Sequence, residues 1–307
     1  MRQRSLAIVG MALLLVLAAA AQGGSDKEFK QTVDLAAGGR LTLETFKGSI
    51  ELTSWNQNKV EIIARIEPGD DVSSEYAQRS VEATEIEVRS DGRSLSIRSD
   101  YKDVPCREDV DRGWRFGNCS KTLPYVHYQI KAPRNLSIRL EDHKSDIDIS
   151  GFDGDLDLDT HKGTVKLADL TGEIRLDTHK GRVEASGLSG DIRLNTHRGR
   201  MRLAGLRGRV RVETHRGEIS IDALEIDGSS RLETHRGHIV LSLPESQGFD
   251  VRGEIGRRAD FDSDFDITLR AFGRRDRNRD RIEGTINGGG PEIYINTYRG
   301  EIRLRRR

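Results

Sequence analysis

Five tetrapeptides hold most of the reactive side chains of this sequence: Thr160-His161-Lys162-Gly163, Thr178-His179-Lys180-Gly181, Thr196-His197-Arg198-Gly199, Thr214-His215-Arg216-Gly217 and Thr234-His235-Arg236-Gly237. Successive histidines are 18 residues apart, with a last step of 20. Two residues before each stands Asp159, Asp177, Asn195, Glu213 or Glu233. Imidazole beside carboxylate can ligate zinc, copper or nickel, and imidazole itself titrates near 6.5. Stacked coils would place His161, His179, His197, His215 and His235 roughly 4.7–4.9 Å apart. They form a candidate binding column, and His179 and His197 are the pair to consider for a shared metal. The Lys or Arg after each histidine opposes a cation, so a plain turn ladder and a pH-sensing column stand beside the metal reading. Two like charges at that spacing repel by about 1 kcal/mol even in bulk water.

Arg175, Arg193, Arg211 and Arg231 form a second outward column beside the acidic one. Either the two ladders offset each other and keep a long sheet in solution, or they present a charged face to an anionic glycan or an envelope partner. Catalysis needs a unique set of groups in a concave site, whereas here the same groups recur on successive repeats. No catalytic residue, resident metal or cofactor is therefore assigned. A polysaccharide lyase or hydrolase built on a β-helix is the competing class. Alternating aspartates at 153–159 and 260–266 lack the glycine pattern of calcium loops and read as solvated strand faces.

A period this regular requires a solenoid to position it. Each repeat divides into two short alternating strands, as in 172–178 and 182–188, with glycine at the turns supplying positive φ. The expected fold is all-β, a parallel β-solenoid with about 18 residues and two strands per coil. Ile174, Ile192 and Val210, then Leu176, Leu194 and Val212, then Val165, Val183, Met201, Ile219 and Ile239 form inward columns, with Leu170, Leu188, Leu206 and Leu224 at a corner. Thr160, Thr178, Thr196 and Thr214 also point inward, where stacked hydroxyls are expected to bond one another or the backbone. About five inward apolar side chains at roughly 1.5–3 kcal/mol each do not offset an ordering cost on the order of 1–2 kcal/mol per residue. No coil folds alone, and the stack must be capped.

The same columns return as Asp142-His143-Lys144-Ser145 one period earlier, at 41–48 with Phe46 in the histidine place, and at 293–300 with Tyr298 there. Aromatic residues at those places point to end coils covered by something. The expected organisation is 1–21 signal peptide, 22–135 irregular coils and cap, 136–243 regular solenoid, and 244–307 an irregular segment with a C-terminal capping coil. A short helix is expected over 74–83, strands near 60–66, 86–88, 95–97 and 125–130, and a solvated charged loop at 274–281.

Arg2, Arg4, an apolar run over 6–21 and small residues at Ala19 and Ala21 read as a secretory leader, with no membrane span once it is removed. Export to periplasm, surface or medium would let Cys106 and Cys119, the only cysteines, form a disulfide. Trp114 and Phe116 lie between them, as a cap over the coil ends or a contact point. Lys plus Arg equals Asp plus Glu at 50 each, so bulk charge gives no reason for a nucleic acid partner or a polyanionic substrate, and any charge-based function must be local.

The leader, Leu41-Thr-Leu-Glu-Thr-Phe-Lys-Gly48, Tyr128-Gln-Ile-Lys-Ala-Pro133 and the repeated Thr-x-x-Gly-x-Ile/Val turns together resemble the bacterial putative adhesin domain, a β-solenoid family of unknown function. The resemblance covers nearly all of the chain after its leader. It implies a cell-envelope protein without established catalytic residues. Small residues usually fill the two turn positions that hold His and Lys or Arg here. The expected function is a non-enzymatic exported envelope protein presenting a rigid surface for binding or adhesion, its partner an unidentified envelope component or glycan. A metal- or pH-responsive histidine ladder and a polysaccharide-active enzyme are the alternatives.

Overall fold

The computed structural model of the chain describes residues 26–104, 121–274 and 279–307. An amino-terminal group holds β1 (Lys27–Asp34), β2 (Gly39–Glu44), β3 (Lys47–Trp55), β4 (Lys59–Glu67), helix α1 (Ser74–Ala83), β5 (Glu85–Ser90), β6 (Ser94–Asp100) and β7 (Tyr125–Pro133). The regular body follows as β8 (Leu136–Ser150), β9 (Leu156–Ile226), β10 (Ser230–Arg236) and β11 (Ile239–Leu243). The carboxy-terminal group is β12 (Phe249–Ser263), β13 (Thr268–Arg274), β14 (Arg279–Ile286) and β15 (Glu292–Arg306).

The body is a parallel β-solenoid. Ile138 pairs with Leu156, Leu140 with Leu158 and Ile147 with Val165, each 18 residues on. The inward columns read from the sequence are all buried, with Ile174, Ile192, Leu194, Val210 and Ile219 at 0% exposure. In-register stacking puts each apolar side chain on its equivalent one coil away, so burial is completed between coils rather than within one.

β9 runs for 71 residues without interruption, so the corners bend the ladder where separate strands and tight turns were expected. The glycine after each cation explains this. A Cβ on Gly181, Gly199 or Gly217 would stand 2.1, 1.9 or 1.7 Å from the carbonyl oxygen of the glycine one coil before. Glycine is required there for close backbone approach, and φ at these three corners lies outside the left-handed range.

Both ends reverse direction. β2 and β3 lie parallel on β8, and β6 and β7 lie parallel on β2 and β3. Outside them β5 is antiparallel to β6, and β4 to β7, with β1 antiparallel to β4. The expected irregular coils are therefore a mixed cap. Helix α1 begins at Ser73, whose side chain accepts the Tyr76 N–H, and Lys27 Nζ donates to the Glu82 and Thr84 carbonyls beyond its last turn. At the other end β15 pairs with β10 and β11 on one side and β12 on the other. The last coil in sequence is thus inside the stack, and the cap is β12 with the antiparallel β14 and β13. The charged segment expected as a loop at 274–281 enters that hairpin at both ends, with 275–278 outside the described residues. Cys106, Cys119, Trp114 and Phe116 lie outside the described residues as well. Among those described, no helix is long and apolar enough to cross a membrane.

Candidate functional site

Strand alternation on the Asp-Thr-His segment sends the acidic residue and the histidine outward and the threonine inward. Repeated over the coils, this makes a groove of about 1000 Å³ along the solenoid. One wall is Asp159, Asp177, Asn195, Glu213, Glu233 and Asn296; the other is the histidine column, ending at Tyr298. Thr160, Thr178, Thr196, Thr214 and Thr234 lie between them as its floor.

The histidines form a continuous stack. His143, His161, His179, His197, His215 and His235 follow one another at centroid spacings of 4.8–4.9 Å with their planes within 4° of parallel. Phe46 closes one end on His143 at 4.6 Å, and Tyr298 the other on His235 at 5.1 Å. The five histidines named from the sequence are all present. His143 and the two aromatic ends complete the column, and column alignment had already placed them in it.

This geometry disfavours the metal reading. Rings related by one translation carry equivalent nitrogens apart by the same 4.8 Å between His179 and His197, with lone pairs directed in parallel. Two nitrogens on one zinc at about 2.0–2.1 Å each can never be that far apart. Among the described residues no group of three or more His, Cys, Asp or Glu is placed to hold a metal ion. Burial, then the neighbouring imidazoles and the following cations, hold His161, His197 and His215 below the usual imidazole range, and burial followed by His161 does so for His143.

The threonine floor departs from expectation. Thr160 Oγ1 donates to Asp142 at 2.8 Å, and Thr297 donates to the Arg299 carbonyl at 3.3 Å. Thr178, Thr196, Thr214 and Thr234 are only 4–7% exposed, and their hydroxyls have no partner among the described residues. One coil separates equivalent hydroxyls by roughly 4.8 Å, beyond hydrogen-bond reach. At the amino-terminal end Asp142 replaces the threonine, and its half-buried carboxylate accepts from Ser145 N, Ser145 Oγ and Thr160 Oγ1. Burial pushes it up to about 6.

The two cationic columns differ. Arg175 pairs with Glu173 at 2.9 Å, Arg193 with Glu173 at 2.5 Å and Asp191 at 3.0 Å, and Arg231 with Glu233 at 2.6 Å. Arg231 also lies 4.4 Å over the Tyr294 ring. Arg211 has no ion pair among the described residues. The cations that follow the histidines, Lys144, Lys162, Lys180, Arg198, Arg216 and Arg236, are all exposed and make no ion pair among the described residues. Their amino-terminal counterpart Lys47 is covered by the cap, donating to the Lys121 carbonyl 2.8 Å away and lying 3.9 Å from the Tyr125 ring centroid. Burial lowers that ammonium to about 8.

The model of the Toastrack DUF4097 family matches residues 48–305. No curated protein matches the chain in sequence. Among solved structures, the chain is similar to a putative adhesin from Bacteroides fragilis NCTC 9343, at 14% identity over 91% of this chain and 97% of that one, with a TM-score of 0.46. It is also similar to a putative cell adhesion protein from Clostridium sporogenes ATCC 15579, at 12% identity over 92% and 100% with a TM-score of 0.30. A putative adhesin from Parabacteroides merdae ATCC 43184 aligns at 10% identity over 92% and 97%, with a TM-score of 0.25.

Proposed function

The chain belongs to the Toastrack DUF4097 family, and on that premise we propose that it is a non-enzymatic, exported envelope protein that binds an elongated partner along its groove. One observation carries the reading: the same acid, threonine and imidazole columns repeat at one translation on successive coils along a groove open along the axis, with a row of exposed cations following the imidazoles outside it. A surface with translational symmetry suits a linear polymer, each coil adding one weak contact to a multivalent whole. An active site needs one set of groups found nowhere else on the molecule. The leader over 1–21 supports export.

Thermal unfolding of the purified protein at pH 7.5 tests the proposal, with neutral, anionic and cationic linear glycans, a polyamine, and zinc, copper, nickel and calcium. A ligand at 100 times its dissociation constant adds about 2.7 kcal/mol. The expected result is stabilisation by one class of polymer and none by its monomer. Absence of a shift with every polymer overturns the binding reading. Cleavage of a glycan that is lost on changing a single coil replaces it with the enzymatic one. A zinc shift lost in His179→Ala plus His197→Ala replaces it with the metal one.

A further inference from the structure

We infer that the polymer this groove takes is a linear acidic polysaccharide with one carboxylate per sugar. It lies along the solenoid with its acid groups on the cation column and its hydroxyls in the groove. The inference rests on the binding reading above and names the ligand of the same site.

The first support is the contrast between the two cation columns. Most arginines on the neighbouring outward column are satisfied by a carboxylate of the protein, Arg175 and Arg193 sharing Glu173. Lys162, Lys180, Arg198 and Arg216 stand in register one coil apart with no ion pair among the described residues. A row of like charges spaced at roughly 4.7–4.9 Å repels itself, and an anion running alongside relieves every step at once.

The acidic wall of the groove, across the histidine column from these cations, limits what that anion is. Asp159, Asp177 and Glu213 line the groove without an ion pair among the described residues, and Asp159 is held above the usual carboxylate range by burial and then by Asp177. A ligand lying across both columns must therefore present acid groups to the cations and hydrogen-bond donors to the carboxylates. Sugar hydroxyls meet that demand: they donate to the carboxylates and both donate to and accept from the imidazole edges. A polycation would suit the acidic wall and be repelled by the cations.

The ring stack removes nucleic acid from consideration by a separate argument. Proteins hold single strands by stacking bases on free aromatic faces. Every interior imidazole already has a parallel ring on both faces, within 4° and 4.8–4.9 Å. Only ring edges reach the groove. One pyranose ring in a linear chain advances about as far as one coil, so those acid groups that face the protein fall in step with the cations.

The test is isothermal titration of the purified protein with polyuronate oligomers of graded length, with the same oligomers fully methyl-esterified, with inorganic polyphosphate, and with a polyamine. The expected result is affinity that rises with oligomer length up to the length of the column and weakens with added salt, and that is absent after esterification. Lys180→Gln with Arg198→Gln and Arg216→Gln should weaken binding by about tenfold or more, while Arg175→Gln with Arg193→Gln leaves it unchanged. Equal binding of esterified oligomers overturns the inference. So does an equal loss in the Arg175 and Arg193 variant. Tighter binding of polyphosphate or the polyamine than of polyuronate gives the groove a different ligand and overturns this inference while the binding reading stands. If neither these nor any neutral glycan binds, both fall.

Discussion

In the middle coils each residue sits on its equivalent one coil earlier, whereas at both ends the chain turns back and pairs antiparallel. The two regions spend their side chains differently. In the middle, identity between neighbours is what counts: one glycine on another, one imidazole on another, one threonine on another. At the ends the polar columns are closed by residues that break the repeat. Phe46 and Tyr298 end the ring stack, Asp142 ends the hydroxyl column, and Lys47 ends the cation column under the cap. A column of identical polar groups cannot satisfy itself at coil spacing. Satisfaction therefore appears where the repeat is broken, and unpaired chemistry is left where it is kept.

Glycine should show the largest contrast. Gly199→Ala places a Cβ 1.9 Å from the Gly181 carbonyl oxygen, a backbone atom fixed in the ladder, and is expected to cost about 3 kcal/mol or more. Gly92, in the turn between β5 and β6, has φ +85 and nothing within 4 Å of an added Cβ; Gly92→Ala should cost only about 1–2 kcal/mol. Urea unfolding midpoints measure both. Equal losses would mean the corners can separate and that coil contact does not depend on glycine.

The hydroxyl column should separate middle from end by sign. Thr178→Val, Thr196→Val and Thr214→Val each remove a buried hydroxyl with no partner among the described residues and should raise stability by about 1 kcal/mol. Thr160→Val removes the bond to Asp142, leaves a half-buried carboxylate short of a donor, and should lower stability by about 1–3 kcal/mol. If the three middle variants also lose stability, their hydroxyls have partners in solution.

Much of this was legible in the sequence, and what was not has physical causes. The 18-residue period fixed the inward columns, and parity put Thr178 inward and His179 outward before any coordinates. Column alignment likewise put Asp142 in the threonine place, while the bonds its carboxylate accepts there were not legible. The direction of pairing at the ends was not legible, because strand alternation in 60–66 or 86–88 is the same for parallel and antiparallel neighbours. Nor was the place of β15. Its columns match those of every other coil, so residues 293–300 fit any step of the stack. The corner glycines were assigned to positive φ when close approach is their role at Gly181, Gly199 and Gly217, a distinction that only the distance to the neighbouring carbonyl can make. Pairing of Arg175 and Arg193, against none for Lys180 and Arg198, depends on where acidic side chains such as Glu173 and Asp191 fall on the opposite flank.

The ring column gives a pH dependence whose sign can be worked out. His143, His161, His197 and His215 hold protons less tightly in the fold than their ordinary imidazole value. Near and below pH 6.5 the unfolded chain therefore binds more protons, and stability falls as pH falls. Asp142 acts oppositely. Its folded value of about 6 exceeds the ordinary carboxylate value, so between about 4 and 6 the fold holds its proton and gains stability as pH drops. Asp159, also held above the usual carboxylate range, acts in the same direction as Asp142. Four imidazoles against two carboxyls give a net fall in melting temperature from pH 7.5 to 5.5. Asp142→Asn should make it steeper, since one opposing group is gone. A flat profile in both proteins would mean that protonated rings are accommodated, with the carboxylate wall of Asp159, Asp177 and Glu213 neutralising them.

The smallest effect is expected on the surface, and again the two regions should differ in sign. Arg175→Gln with Arg193→Gln breaks exposed pairs to Glu173 and Asp191 and should lower stability by about 0.2–1 kcal/mol. Lys180→Gln with Arg198→Gln removes two neighbours from a row of like charges that has no counter-charge of its own among the described residues. It should leave stability unchanged or raise it, by no more than about 0.5 kcal/mol. Both differences are electrostatic between exposed groups, so both should shrink in 1 M salt, where the screening length is about 3 Å. Measured at low salt, a loss of stability in the Lys180 and Arg198 variant would show that these cations are paired within the protein, and the contrast between the columns would disappear.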